Sequence, residues 1–418
     1  MLAVSLVAAL VTMVVVPPDA AYLGYFDLKV LACLLSILAI VAALRNVGAF
    51  DALSRRLVAR VSTCRAAVLA LVGATLALSL VVTNDMALIM MLPLATATLA
   101  KAGWGRVLPF TFVMQNMAAN LGGMIVPFGN PQNLYLFEEY AIALPDFLRV
   151  MALPFVTSCA LILCCCLVRT KPIAAHPDAG AARRRGAREE SERTGEQRSG
   201  APGRRPAARG ASSPRPLPAA RVLRPGERRA RALCYALLLV IVVLAVFRAI
   251  PYPAALAVVF GALFFLDRAA LKAVDYSLVL TFACFFVFSG NMARIPAVVD
   301  ALGWLLDQSV LLTGAALSQV ISNVPAAILL SHLTGEWPQL LVGVNVGGAG
   351  TVVASLATLI TLAHYRLALN VHAETPGFDR QSTARFFVQS TAWGFAFLAV
   401  LVAVCGLSIA VVPSALIP

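Results

Sequence analysis

SLVVTNDMALIMML (Ser79–Leu92) and SQVISNVPAAILLS (Ser318–Ser331) each set a hydroxyl-Asn pair, Thr83-Asn84 or Ser322-Asn323, in the middle of an apolar run. Downstream of each lies a second matching stretch. ANLGGMIVPFGNPQN (Ala119–Asn133) answers VNVGGAGTVVASLAT (Val344–Thr358), pairing Asn120 with Asn345 and Gly122-Gly123 with Gly347-Gly348. A third pair precedes both: Asp27-Leu-Lys-Val-Leu and Asp275-Tyr-Ser-Leu-Val each open an apolar span followed by an amphipathic stretch. Three matches in the same order read as an internal repeat.

The rest of the chain says where that repeat lives. Sixty per cent of the 418 residues are hydrophobic and the mean hydropathy is +0.86, well above a soluble domain, in which about half the residues are apolar. The charge is concentrated. Residues 169–231 hold 17 of the 33 Lys and Arg against 6 acids, so eleven of the thirteen net positive charges fall in one short segment. A basic loop between apolar runs is the positive-inside signature, and nucleic acid is excluded as a partner. Met1–Val16 lacks a basic n-region and a cleavage signal, and reads as a first span. The nine cysteines lie mostly in apolar runs with no CxxC spacing, and read as small apolar helix residues.

Apolar segments before the basic loop are Met1–Val16, Asp27–Leu44, Arg65–Lys101, Val107–Leu144 and Val150–Val168. After it come Ala232–Phe247, Ala254–Leu266, Asp275–Gly290, Val310–Leu333, Gln339–His364 and Phe386–Val412. The expected organisation is therefore an all-α polytopic membrane protein: repeat 1 over 1–168, a disordered basic cytoplasmic linker over 169–231, and a linking helix plus repeat 2 over 232–418. With the linker inside, Arg55, Arg56, Arg60 and Arg65 of the amphipathic stretch Asp51–Arg65 come out cytoplasmic, as do Lys101, Arg106, Arg366, Arg380 and Arg385. Glu138, Glu139 and Asp146 come out on the opposite side. Asp27–Leu44 and Asp275–Gly290 then run in opposite directions, so the repeats are inverted, which implies alternating access.

Backbone that breaks inside lipid needs partners from protein or water, so the Asn and Gly positions mark a cavity at the midplane. The arms Ser309–Ile321 and Pro325–Thr334 are too short to cross and read as a re-entrant hairpin with Ser322-Asn323 at its tip. Thr83-Asn84-Asp85 is the matching tip, although the arm from Arg65 is long enough that two full spans stay open there. The stretches Phe128–Asn133 and Ala354–Thr358 read as unwound and facing the tips. Candidate substrate and ion ligands are Thr83, Asn84, Asp85, Asn120, Asn130, Gln132, Asn133, Ser322, Asn323, Asn345, Ser355 and Thr358, with sodium held through Asn84, Asn133, Asn323 and Thr358. Asp85 faces the apolar Val324 across the pseudo-axis, which predicts two inequivalent ion sites; as an intramembrane acid Asp85 serves as a proton carrier or cation ligand, or caps the returning helix. No Lys or Arg lies near the four breaks, so an anionic substrate needs a coupling cation. His332, His364 and His372 sit near predicted helix ends, in interfacial roles.

At Thr83-Asn84-Asp85, Gly129-Asn-Pro-Gln-Asn133, Ser322-Asn323 and the two Asn-x-Gly-Gly runs the sequence resembles the ion transporter superfamily. Its nearest likeness there is to bacterial citrate-transporter-like permeases, related to divalent anion/sodium symporters and arsenite permeases. The resemblance implies a secondary active transporter, not an enzyme. It would carry a small anion of the citrate or dicarboxylate class, coupled to sodium or protons, with elevator-type alternating access in the inner (plasma) membrane. No cofactor is implied beyond the coupling ion; the partners are the anion and the bilayer, with a homodimer left open. Two departures, Asp85 and Val324 at the third tip position and Asn-Pro-Gln-Asn at the first break, keep an arsenite-type efflux permease or a sodium/proton antiporter as the alternative.

Overall fold

The computed structural model describes residues 2–48, 62–173, 225–371 and 382–411. The expected interfacial helix over Asp51–Arg65 falls almost wholly outside these, as do the central part of the basic linker, His372 and Arg380. The described residues are helical, without strands. In chain order the helices are α1 Leu2–Val15, α2 Leu28–Asn46, α3 Cys64–Ser79, α4 Asn84–Lys101, α5 Leu108–Gly122, α6 Pro131–Glu139, α7 Leu144–Arg169 and α8 Pro225–Val246. They continue as α9 Tyr252–Leu266, α10 Arg268–Lys272, α11 Tyr276–Met292, α12 Pro296–Gln308, α13 Val310–Ile321, α14 Asn323–Ser331, α15 Trp337–Gly347, α16 Leu356–Val371 and α17 Thr383–Val411.

Length and composition fit α2, α7, α8 and α17 to cross a membrane. Their local signals are clear. Asp27 and Asp275 both act as N-caps, their carboxylates accepting from the amides of Val30 (2.9 Å) and Leu278 (3.2 Å), which starts α2 and α11 at matched positions. Helix α8 begins at Pro225, inside the segment expected to be disordered, and α7 ends at Arg169, where that segment was expected to begin. Pro at the first helical position and Glu227 in the first turn start α8 early. His364 also departs from expectation: it lies inside α16, with Nδ1 on the Ile360 carbonyl at 3.1 Å, because the helix continues past it to Val371.

The apolar runs Arg65–Lys101 and Val310–Leu333 are each cut at the Asn pair, into α3 and α4 and into α13 and α14. At 1.5 Å per residue, α13 and α14 are about 18 and 14 Å long, each short of a hydrocarbon core of roughly 30 Å. Val107–Leu144 is likewise cut into α5 and α6, and α11 turns by 91° into α12.

Helices α1, α2 and α8–α11 pack on one another, and α3–α7 with α13–α17 form a second body. The main contacts between the two are α11 on α14 and α2 on α6. Polar groups pin this seam. Glu138 at the end of α6 is gripped by Lys29 of α2 (2.6 Å) and by Arg248 (3.3 Å), whose guanidinium also donates to the Phe137 carbonyl. Ser289 of α11 donates to the Pro325 carbonyl of α14 at 3.3 Å.

Inside the second body, a small-residue contact recurs. A Cβ on Gly122 would stand 2.6 Å from the Ser79 hydroxyl, and one on Gly347 would stand 2.8 Å from Ser318 Cβ. Such close approach of helix backbones is what glycine permits in membranes. We expect Gly122→Val and Gly347→Val each to cost about 1–3 kcal/mol by overpacking. Gly303→Ala, where nothing lies within 4 Å of the added carbon, should leave the melting temperature of the purified protein unchanged or raised.

Candidate functional site

Four helices begin at the centre of the molecule: α4 at Asn84, α6 at Pro131, α14 at Asn323 and α16 at Leu356. What stops the preceding helix differs between them. After α5 the chain makes one 3-10 turn over Gly123–Ile125 and a further turn, closed by the Gly129 amide on the Val126 carbonyl at 3.2 Å, before Pro131, which has no amide hydrogen to strand at a helix start. Between α13 and α14 a single residue, Ser322, makes the turn, at φ 76° and ψ 153°, a region a non-glycine side chain rarely enters. Strain of about 1–3 kcal/mol is typical of such a residue and tends to persist where surrounding structure enforces it. Its counterpart Thr83 sits in ordinary extended backbone at φ −65°.

The breaks close on each other. The Asn84 amide donates to the Gly129 carbonyl at 3.2 Å, and the Asn323 amide donates to the Ala354 carbonyl at 3.0 Å. Side chains then tie the two halves of the chain together. Asn345 accepts from Gln132 (3.1 Å) and Asn130 (3.3 Å) and donates to Asn133 Oδ1 (2.6 Å) and the Leu341 carbonyl (2.8 Å). Asn120 accepts from Ser355 (2.8 Å) and Asn84 (2.9 Å). Thr358 accepts from Asn116 at 3.0 Å.

All twelve sequence-predicted residues are buried, the most exposed being Asp85 at 7%. They divide into two sets. Asn84, Asp85, Gln132, Ser322, Asn323 and Ser355 line a small cavity of about 30 Å³, enough for a water or a bare ion. Thr83, Asn120, Asn130, Asn133, Asn345 and Thr358 stand behind it; all but Thr83 hold the breaks in place through side-chain hydrogen bonds. Of the four residues expected to hold sodium, Asn84 and Asn323 therefore reach the cavity, and Asn133 and Thr358 do not. The expected unwound stretches are also shorter than the sequence indicates. Gln132, Asn133, Ala357 and Thr358 lie in the first turns of α6 and α16; Ser355 caps α16, its hydroxyl accepting from the Ala357 amide at 3.3 Å, while Asn130 stands at the N-cap position of α6 without a side-chain cap bond, where Pro131 starts the helix. Three polar atoms of the twelve residues are left over: Asp85 Oδ1, at the cavity, and Thr83 Oγ1 and Asn130 Oδ1, behind it, are buried with no hydrogen-bond partner.

The sequence reading missed one wall. Leu278, Thr281, Phe282 and Phe285 of α11 cover the cavity from the first body. Their spacing puts them on one helical face, a legible signal; which cavity that face covers was not. Among the described residues no Lys or Arg lines the site. Positive potential comes instead from the four helix N-termini, whose dipoles favour an anion.

An apolar chain whose described residues are helical, with several helices long and apolar enough to cross a membrane, is a polytopic membrane protein. The chain belongs to the citrate transporter family, whose profile matches residues 1–363. It is a membrane transporter of that family. It is similar to the inner membrane protein YbiR of Escherichia coli, with 29% identity over 323 residues, 75% of this chain and 74% of that protein. It is also similar to the uncharacterized transporter MJ0456 of Methanocaldococcus jannaschii, with 26% identity over 341 residues and 80% of each chain covered.

Two substitutions test the scaffold behind the cavity. Asn345→Ala strands groups on Gln132 and Asn133, each worth about 1–3 kcal/mol when buried and unpaired, and should lower the melting temperature by several degrees. Ser322→Gly relieves the positive φ and should melt at or above the parent, whereas Ser322→Val should melt below it.

Proposed function

We propose that the chain is a secondary active transporter of a small anion of the citrate or dicarboxylate class, coupled to sodium or protons, with no enzymatic activity. The observation that carries this reading is the convergence of four helix N-termini on a cavity that holds, among the described residues, one carboxylate, Asp85, and no fixed cation. Amide dipoles there favour an anion. Yet two negative charges in low dielectric repel strongly, so the anion and an ionised Asp85 share the site only if a cation or proton enters with them. That requirement is the physical content of coupling. Asn84 and Asn323 supply oxygens at the cavity for a hard cation.

The same reading gives the architecture: inverted repeats over 1–168 and 232–418, two re-entrant hairpins with tips at Thr83-Asn84 and Ser322-Asn323, and a connecting linker. Support comes from pairs at matched positions: Asp27 with Asp275 as caps, Gly122 against Ser79 with Gly347 against Ser318, and Asn84 on Gly129 with Asn323 on Ala354. Alternating access follows if the body of α3–α7 and α13–α17 slides as an elevator past α1, α2 and α8–α11. The contacts are uneven, α11 lying on α14 while α2 lies chiefly on α6, as expected of one end state of an inverted pair. A cavity of about 30 Å³ is too small for a tricarboxylate, so loading requires the Phe282 and Phe285 wall to separate from the tips. We assign the chain to the inner membrane, in keeping with the name of the Escherichia coli relative.

The alternative, arsenite-type efflux or sodium/proton antiport, rests on the same carboxylate. Asp85→Asn in proteoliposomes separates them: anion symport should continue with weakened cation dependence, whereas loss of pH-driven exchange with no anion uptake in the parent would favour the alternative. Asn84→Ala and Asn323→Ala should each cut anion uptake at least about tenfold, equivalent to about 1.4 kcal/mol, in protein that still inserts. Normal uptake in both refutes the site. The substrate itself is sought by thermal shift with citrate, succinate, sulfate and arsenite, with and without sodium, where a ligand raises the melting point by mass action on the folded state. We expect a carboxylate to stabilise most, and more so in sodium or at lower pH.

A further inference from the structure

Away from the central cavity, a groove of about 550 Å³ opens between the start of α5, the end of α7 and the start of α17. Three guanidinium side chains line it: Arg106 just before α5, Arg169 at the end of α7 and Arg385 in the first turn of α17. We propose that this groove binds the phosphate-bearing headgroup of an acidic phospholipid, with an acyl chain lying on its apolar floor.

The charge comes first. The three arginines are exposed, and among the described residues none of them carries an ion pair. Three like charges brought to one groove by three distant parts of the chain repel one another unless an anion joins them. Arginine's planar fork matches phosphate oxygens two at a time, which suits it to this anion better than lysine. The floor comes second. Phe110, Val388 and Ala392 lie beside the arginines, an apolar surface that free phosphate does not need and a lipid tail does.

Position supplies the third argument. Helices α7 and α17, both long and apolar enough to span, end and begin within a residue or two of Arg169 and Arg385, which sets the groove at headgroup depth. All three arginines fall on the cytoplasmic side of the sequence-derived topology, where acidic lipid is met by basic residues. The positive-inside tendency alone accounts for arginines somewhere on that face. It does not account for their convergence on one groove with an apolar floor.

The test uses the full chain purified in a neutral detergent, with bound lipid counted by native mass spectrometry after addition of phosphatidylglycerol or phosphatidylcholine. The parent should retain phosphatidylglycerol at least about tenfold over phosphatidylcholine, and the Arg106→Gln, Arg169→Gln, Arg385→Gln triple variant should lose that preference while keeping its phosphatidylcholine count. Equal retention of the two lipids by the parent overturns the proposal, as does undiminished preference in the triple variant, which would leave the arginines a topological role alone. Displacement of the lipid by inorganic phosphate at matched concentration also overturns it, since the groove would then read a free oxyanion. If the triple variant does not fold, Arg169→Gln and Arg385→Gln singly should each reduce the preference about threefold, and no reduction in either refutes the site.

Discussion

Backbone freed from a helix inside an apolar body must find a partner there, and most of this molecule is arranged around meeting that demand at four places. The amides of Asn84 and Asn323 meet it by donating to the carbonyls of Gly129 and Ala354. Each of these bonds joins the start of one helix to the break before another, so neither break can be removed without exposing its partner. An unsatisfied amide in hydrocarbon costs several kcal/mol. The glycines follow from the same demand. Gly122 and Gly347 let α5 and α15 approach Ser79 and Ser318 closely enough for the breaks to meet.

Around that backbone frame the amide side chains divide their labour. Asn120 and Asn345 are spent on cross-links between the halves, which fixes the geometry of the breaks but removes those groups from any ligand. Asn84, Asn323, Gln132 and Ser355 stay at the cavity, and Asp85 keeps an unpartnered oxygen there. Asp85 Oδ1 is the unsatisfied atom in front, and behind it Thr83 Oγ1 and Asn130 Oδ1 also lack a partner; such buried unpaired atoms gain most from a bound ligand. The strained turn at Ser322 and the relaxed one at Thr83, with Val324 opposite Asp85, make its two sides inequivalent.

The second organising feature is the seam between the two helix bodies. Apolar packing is continuous within each body and across the seam, and the seam adds discrete links: Lys29 and Arg248 on Glu138, Ser289 on Pro325, and the aromatic pair Tyr135 and Phe286. Such links break and reform at less cost than a packed core, because water can replace a hydrogen bond but not a jigsaw of side chains. The cavity lies on this seam, walled by Phe282 and Phe285 from one body and by the helix starts from the other.

The sequence by itself determined the membrane class, the positions of the breaks and the buried polar residues, because lipid tolerates so few polar groups that each one in an apolar run is informative. It located Thr83-Asn84 and Ser322-Asn323 to the residue, since hydroxyl-Asn pairs interrupting such runs have few structural readings. It misjudged how far α8 reaches into the basic segment and how soon α6 and α16 restart, because a helix boundary depends on capping and on what packs beside it. Only the tertiary structure decided which of the twelve polar residues face the cavity and which stand behind it. Side-chain chemistry is the same in both sets, and partners from the other half of the chain reach both, Asn345 for Gln132 as well as Asn133, and Asn120 for Ser355 as well as Asn116 for Thr358; what differs is whether the side chain lies beside the cavity or behind it. That proximity is set by the packing of helices far apart in sequence, and so was the α11 wall, whose apolar face was legible while the cavity it closes was not.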